Sequence, residues 1–154
     1  MTLQAPLDLD GAVALADVVA ASASGDSAPL EAAKQLLDAG EVILEAWLVA
    51  AGAVPTVDEV EGYRLLALHR QGAKGNPSFN ACRETCRELV YLRNVVEMSL
   101  SEGDLAQARH HLMLEAHVLR HLGLFVGGKL HEQGLGDFCC SSRPLRSADS
   151  VITN

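Results

Sequence analysis

The sequence is poor in aromatic residues, in positive charge and in long apolar runs. Aromatics make up 4% of its 154 residues, while hydrophobic residues make up 49%. A core built from this chain is therefore Leu, Val and Ala, which suits helices better than sheets. Lys and Arg number 12 against 20 Asp and Glu, a formal net charge of −8. That balance argues against a nucleic-acid or anionic-membrane partner, since both require a basic face. No stretch matches the ~18 consecutive apolar residues of a membrane-spanning helix. The first positive residue is Lys34, and Asp17 interrupts the early apolar stretch, unlike a secretory signal. A cytoplasmic protein is expected. Its four cysteines, Cys82, Cys86, Cys139 and Cys140, are then thiols or ligands rather than disulfides. A Gly-rich phosphate loop and a Gly-x-Ser-x-Gly elbow are both missing. With no catalytic constellation in view, binding rather than catalysis is expected.

What is present is helical periodicity. Asp104 to Val126 carries Leu105, Ala108, Leu112, Leu119, Leu122 and Val126 on one face at 100° per residue. Gly127-Gly128 is read as its stop. Leu30, Ala33, Leu37, Gly40, Leu44, Trp47 and Ala51 form a second unbroken stripe, which carries a helix through Gly40. Ser27 is its expected cap, with Pro29 in the first turn. Gly40 costs roughly 1 kcal/mol in a helix relative to Ala, so its place on the inner face implies close approach of another group. Thr56 and Glu59 read as a capping box for a third helix to Gln71, with Val57, Glu61, Leu65 and Leu68 inward. Asn76 and Pro77 read as the start of a fourth to about Leu100, with Phe79, Cys82, Cys86, Leu89, Arg93 and Val96 inward. Arg83, Glu84, Arg87 and Glu88 read as its solvated face.

The expected fold class is all-α: an antiparallel up-down four-helix bundle over 28–128. Residues 1–27 form a short N-terminal helical extension and linker, with a helix near 10–20. Residues 129–154 form an irregular tail. The short turn after Leu100 places Arg93 level with His111, and Leu89 level with Glu115. Glu61, Arg93, His111 and Glu115 are thus expected together in the core. Glu61, His111 and Glu115 would suit a divalent transition metal such as Fe, Mn or Zn. Arg93 with Glu61 and Glu115 would suit a small anionic ligand, through the guanidinium. The alternative is a purely structural ion-pair network of Arg93 with Glu115 and Glu61. A second metal set, Cys82 and Cys86 with His117 and His121, would require the last helix to rotate, since both histidines point well away from Glu115.

His110, Met113, His117 and His121 form another stripe behind the core face of 104–126. A helix apolar on most sides is buried on most sides, so a homo-oligomer through residues 104–126 is expected. Ferritin-like bundles use Glu-x-x-His on two helices, and the chain has no such motif. Hemerythrin-like proteins separate their His-x-x-x-Glu and His-x-x-x-His, whereas here His111-Glu115 and His117-His121 share one helix. Ala116-His117-Val118-Leu119-Arg120 resembles the Ala-His-x-Leu-Lys stretch of histidine phosphotransfer domains. That resemblance covers five residues and implies phosphotransfer at His117. It departs from the pattern at His121, where the family has Gly.

Overall fold

A computed structural model of the chain describes residues 8–22, 28–75, 83–132 and 134. Among these, all regular structure is helical: α1 Leu9–Ser22, α2 Pro29–Ala50, α3 Arg64–Ala73, α4 Arg83–Ser101 and α5 Leu105–Glu132. None of these helices is long and apolar enough to cross a membrane. The expected start of the fourth helix at Asn76-Pro77, its inward Phe79, Cys82, and the tail with Cys139 and Cys140 lie outside the described residues. So does Ser27. The residue directly before α2 is Ala28, which offers no side-chain cap.

α5 is the central element. It packs against α4, α1 and α2 and fully buries Leu119, Leu122 and Val126. Each buried Leu or Val contributes about 1.5–3 kcal/mol relative to exposure. The turn before α5 closes in an orderly way. Gly103 takes φ 78°, the Asp104 N–H donates to the Ser99 carbonyl at 2.8 Å, and Asp104 Oδ1 accepts from the Gln107 N–H at 3.0 Å. Asp104 is thus the N-cap. The far end differs from expectation. Gly127-Gly128 does not stop the helix, which runs on to Glu132. Both glycines and Leu130 are buried, and packing of that last turn outweighs the ~1 kcal/mol propensity cost of each glycine.

α1 is part of the core rather than peripheral. Ala12, Ala16 and Val19 are buried and belong to the same cluster as the leucines of α2 and α5. Gly123 makes this approach possible: a Cβ there would collide with Val13 and would lie 3.3 Å from Ile43. Arg120 donates to Asp17 at 2.9 Å beside it. α1 therefore covers the side of α5 that carries Gly123 and Arg120. Met113 and Phe125 pack against the intramolecular core as well.

The third helix starts later than the capping box implied. Residues 53–59 have no regular structure, and α3 begins at Arg64. Thr56 does not cap a helix, because longer-range partners claim its groups. Its N–H donates to Gln71 Oε1 at 2.8 Å, its carbonyl accepts from Arg64 Nε at 2.9 Å, and its hydroxyl accepts from the Asp58 N–H at 3.0 Å. Val57 and Glu59 are consequently exposed.

Two glycines test how α1 is seated. Gly123→Ala is expected to lose about 1–3 kcal/mol by overpacking against Val13. At Gly40 an added Cβ meets only the ends of the Leu65, Leu89 and Leu119 side chains, at 3.2, 3.5 and 3.7 Å. Gly40→Ala gains roughly 1 kcal/mol of helix propensity and is expected to be close to neutral. Urea midpoints that fall equally for both variants would mean that α1 does not sit against α5 in this way.

Candidate functional site

The segment between α2 and α3 is held down by side chains that act as a local backbone. Gln71 donates from Nε2 to the Val54 carbonyl at 2.7 Å while accepting from Thr56. Arg64, anchored at Thr56, also pairs with Glu41 at 3.3 Å and with Glu45. This pinning sets the turn Val60-Glu61-Gly62-Tyr63. Val60 and Tyr63 exchange backbone hydrogen bonds at 3.0 and 2.9 Å. The two residues between them have φ of 56° and 85°, the left-handed pair of a type I′ turn. Glu61 is the one non-glycine residue with positive φ among the described residues. That conformation costs an L-residue roughly 1–2 kcal/mol, and here the bridge imposes it.

Glu61 is therefore not inward-facing. It is exposed, and its carboxylate accepts two bonds from Arg87, at 3.3 and 3.0 Å. Those hydrogen bonds, and then the charge of Arg87, hold the Glu61 carboxyl below its ordinary range, with a further contribution from Arg70. Behind this pair lies a pocket of about 220 Å3 between α3 and α4, lined by Val60, Leu66, His69, Arg70, Ala73, Arg83 and Arg87. Three guanidinium groups converge there in an acidic protein. Arg83 and Arg87 are one turn apart, and like charges at that spacing repel by about 0.2–0.5 kcal/mol. Glu61 neutralises one of the three. The C-terminal end of α3 adds only about half a negative charge nearby, so the pocket retains a positive surplus. His69 is 7% exposed, and its Nε2 is buried without a hydrogen-bond partner. A buried ring nitrogen left unpaired costs about 1–3 kcal/mol.

A second cleft lies on the other side of the same turn, lined by Lys34, Leu37, Asp38, Glu61, Gly62, Tyr63 and Arg93. Its two cations are Lys34 and Arg93 and its own carboxylate is Asp38, the Glu61 carboxylate being taken by Arg87. Arg93 is engaged already. It donates to Glu97 at 2.6 Å and to Asn94 at 2.9 Å, and Tyr63 donates to the same Asn94 oxygen at 2.8 Å.

The four residues expected together in the core are thus dispersed. Arg93 and Glu61 line one cleft without touching. His111 is half-buried and bonds through Nδ1 to the Gln107 carbonyl one turn back, at 2.9 Å. Glu115 alone is fully buried, and neither of its carboxyl oxygens has a hydrogen-bond partner. The Arg93–Glu115 ion pair does not form, because Glu97 lies one turn along Arg93's own helix and holds the guanidinium at the surface. Burial pushes the Glu115 carboxyl up to about 9, and the Arg93 charge opposes this more weakly. Glu115 is therefore a neutral acid at pH 7. Among the described residues no group of three His, Cys, Asp or Glu side chains could hold a metal ion.

Cys86 is fully buried in the core. His117 and His121 are exposed, as the helical wheel implies, and border a groove between α4 and α5 with Leu92, Leu114 and Val118. Arg120, where the phosphotransfer pattern has Lys, is tied to Asp17 of α1. The arginine pocket was missed because Arg83 and Arg87 looked like half of an ordinary charged face. Their like charge at one-turn spacing was the available signal. No family model, no curated protein and no solved structure matches the chain.

Glu115 yields a pH prediction with a definite sign. Its folded value, about 9, lies above the ordinary 4.5. Between those values the folded protein keeps a proton that the unfolded chain has lost. Stability should therefore fall as pH rises through that window, by up to roughly 1.4 kcal/mol per unit. Glu115→Gln keeps the shape and removes this dependence. Urea unfolding at pH 6 and 8.5 (about two values inside the window) should show a gentler decline for the variant. Equal slopes for both proteins would refute a neutral Glu115.

Proposed function

We propose that the protein binds a small anion in the pocket between α3 and α4. The observation that carries this is the convergence of Arg70, Arg83 and Arg87 around the buried His69 in a chain of net charge −8. A net negative charge repels anions overall, so a local cationic pocket is where a carboxylate or phosphate gains by approaching. Guanidinium forks match such oxyanions in geometry and form charge-assisted hydrogen bonds. His69, whose Nε2 is buried without a hydrogen-bond partner, adds a polar ring to the lining. On this reading α2 to α5 make up the four-helix bundle expected from the sequence. α3 and α4 hold the ligand at its edge, and the buried Glu115 is a separate feature of the interior. The anionic form of the original expectation is kept, moved from Arg93 to these three arginines. The metal form has no ligand set among the described residues.

Calorimetric titration with inorganic phosphate tests the proposal. Saturable one-to-one binding that weakens with added salt is expected, since the pocket is open to solvent. Each charge-assisted hydrogen bond contributes about 1.5–3 kcal/mol. Replacing Arg83 and Arg87 together by Gln should thus reduce affinity at least about tenfold, with the helical circular dichroism unchanged. No uptake by the wild type at millimolar phosphate, or equal uptake by the double variant, would overturn the assignment.

Self-association through residues 104–126 is the second reading. What supports it is the groove of Leu92, Leu114 and Val118, with Leu114 exposed beside the histidines His117 and His121. A second copy of the chain would cover it. Sedimentation should then show a dimer at micromolar concentration that Leu114→Glu dissociates. A monomeric wild type would remove this reading.

A further inference from the structure

We infer that Glu61 is a built-in counter-ion of the arginine pocket, and that the ligand is a tetrahedral oxydianion, as presented by a phosphate monoester, which takes its place on Arg87. The inference rests on the anion-binding function proposed above. Three observations carry it. Glu61 already satisfies Arg87 with two hydrogen bonds, at 3.3 and 3.0 Å, in the geometry a ligand oxyanion would use. Its backbone is held in the left-handed region, φ 56°, by the Val60–Tyr63 bridge, so the carboxylate is presented to Arg87 by the turn. And His69 lines the same pocket with a buried, unpartnered Nε2, a group that Glu61 does not serve.

The ligand class follows from competition. Glu61 is tethered, so its effective concentration at Arg87 far exceeds that of a free metabolite. A free monocarboxylate would repeat the bonds Glu61 makes and would lose its translational freedom besides. It therefore cannot displace Glu61. A dianion with three terminal oxygens can engage Arg87 and also reach Arg70 or Arg83, adding bonds that Glu61 leaves unmade. The pair being displaced is weak, because both side chains are well exposed and exposed ion pairs contribute little. Only the Glu61 side chain must swing aside. The backbone bonds of Val60 and Tyr63 keep the turn in place.

The test compares inorganic phosphate with acetate at constant ionic strength, using the full chain. Wild type is expected to bind phosphate and not acetate. Glu61→Gln frees Arg87, and phosphate affinity should rise by about two- to fivefold, the range of an exposed ion pair. The same variant should gain measurable acetate binding. Glu84→Gln is the control. Glu84 also acts on Arg87 through its charge, without holding it by a hydrogen bond. An equal gain in Glu84→Gln would reduce the effect to general charge and overturn the inference, as would unchanged phosphate affinity in Glu61→Gln. Either result leaves the pocket itself standing if the Arg83 and Arg87 double variant still loses phosphate. Absence of phosphate binding in every protein, Glu61→Gln included, removes the pocket and the inference together.

Discussion

The burial of α5 on three sides is the constraint on which the rest of the structure depends. A helix with Leu, Val and Ala on its core face and Met, Leu and Phe behind it cannot leave both sides in water. α4 covers one side, α2 another and α1 a third. Close approach needs small residues, and the chain supplies them at Gly123 beneath Val13 and at Gly40 beneath three leucines. With so few aromatics, the core relies on this dense aliphatic contact, and at Gly123 a single added methyl group would press on the facing helix.

That same burial creates the main energetic liability. Glu115 lies in the apolar stripe, fully enclosed and without hydrogen-bond partners. Desolvation dominates over the nearby Arg93 charge, so the group is held neutral rather than ionised. An ion pair would have required Arg93 to turn inward and exchange water for protein. The guanidinium instead bonds Glu97 and Asn94, where it retains partial solvation. Desolvation of a buried pair often exceeds its Coulombic gain, and the choice made by Arg93 agrees with that balance.

Positive charge is scarce in this chain, and its distribution is uneven. Arg64 ties the loop before α3 to α2, and Arg120 ties α1 to α5. Arg70, Arg83 and Arg87 instead gather around one pocket with a single bonded carboxylate among them. The first two have structural partners that account for them. Among the described residues, Glu61 bonds one member of the cluster, Arg87.

Helix content was legible in the chain because it is a local property. The three-four spacing of Leu30 to Ala51 and of Leu105 to Val126 defined α2 and α5, and Glu115 stood out in mid-stripe as a carboxylate that burial would perturb. His117 and His121 pointed away from the core for the same geometric reason. What failed depended on distant partners. Thr56 looked like a helix cap until Gln71 and Arg64 claimed its backbone. Glu61 looked inward-facing until the Val60–Tyr63 bridge turned it outward. Gly127-Gly128 looked like a stop until packing carried α5 through it. α1 looked peripheral because no short-range pattern records which face of α5 it fits. The arginine pocket is the extreme case, since Arg70 and Arg83 are brought together only by the packing of α3 beside α4. Periodicity fixes which face of a helix is apolar, whereas convergence of charges from two helices depends on their mutual placement, which only tertiary packing decides.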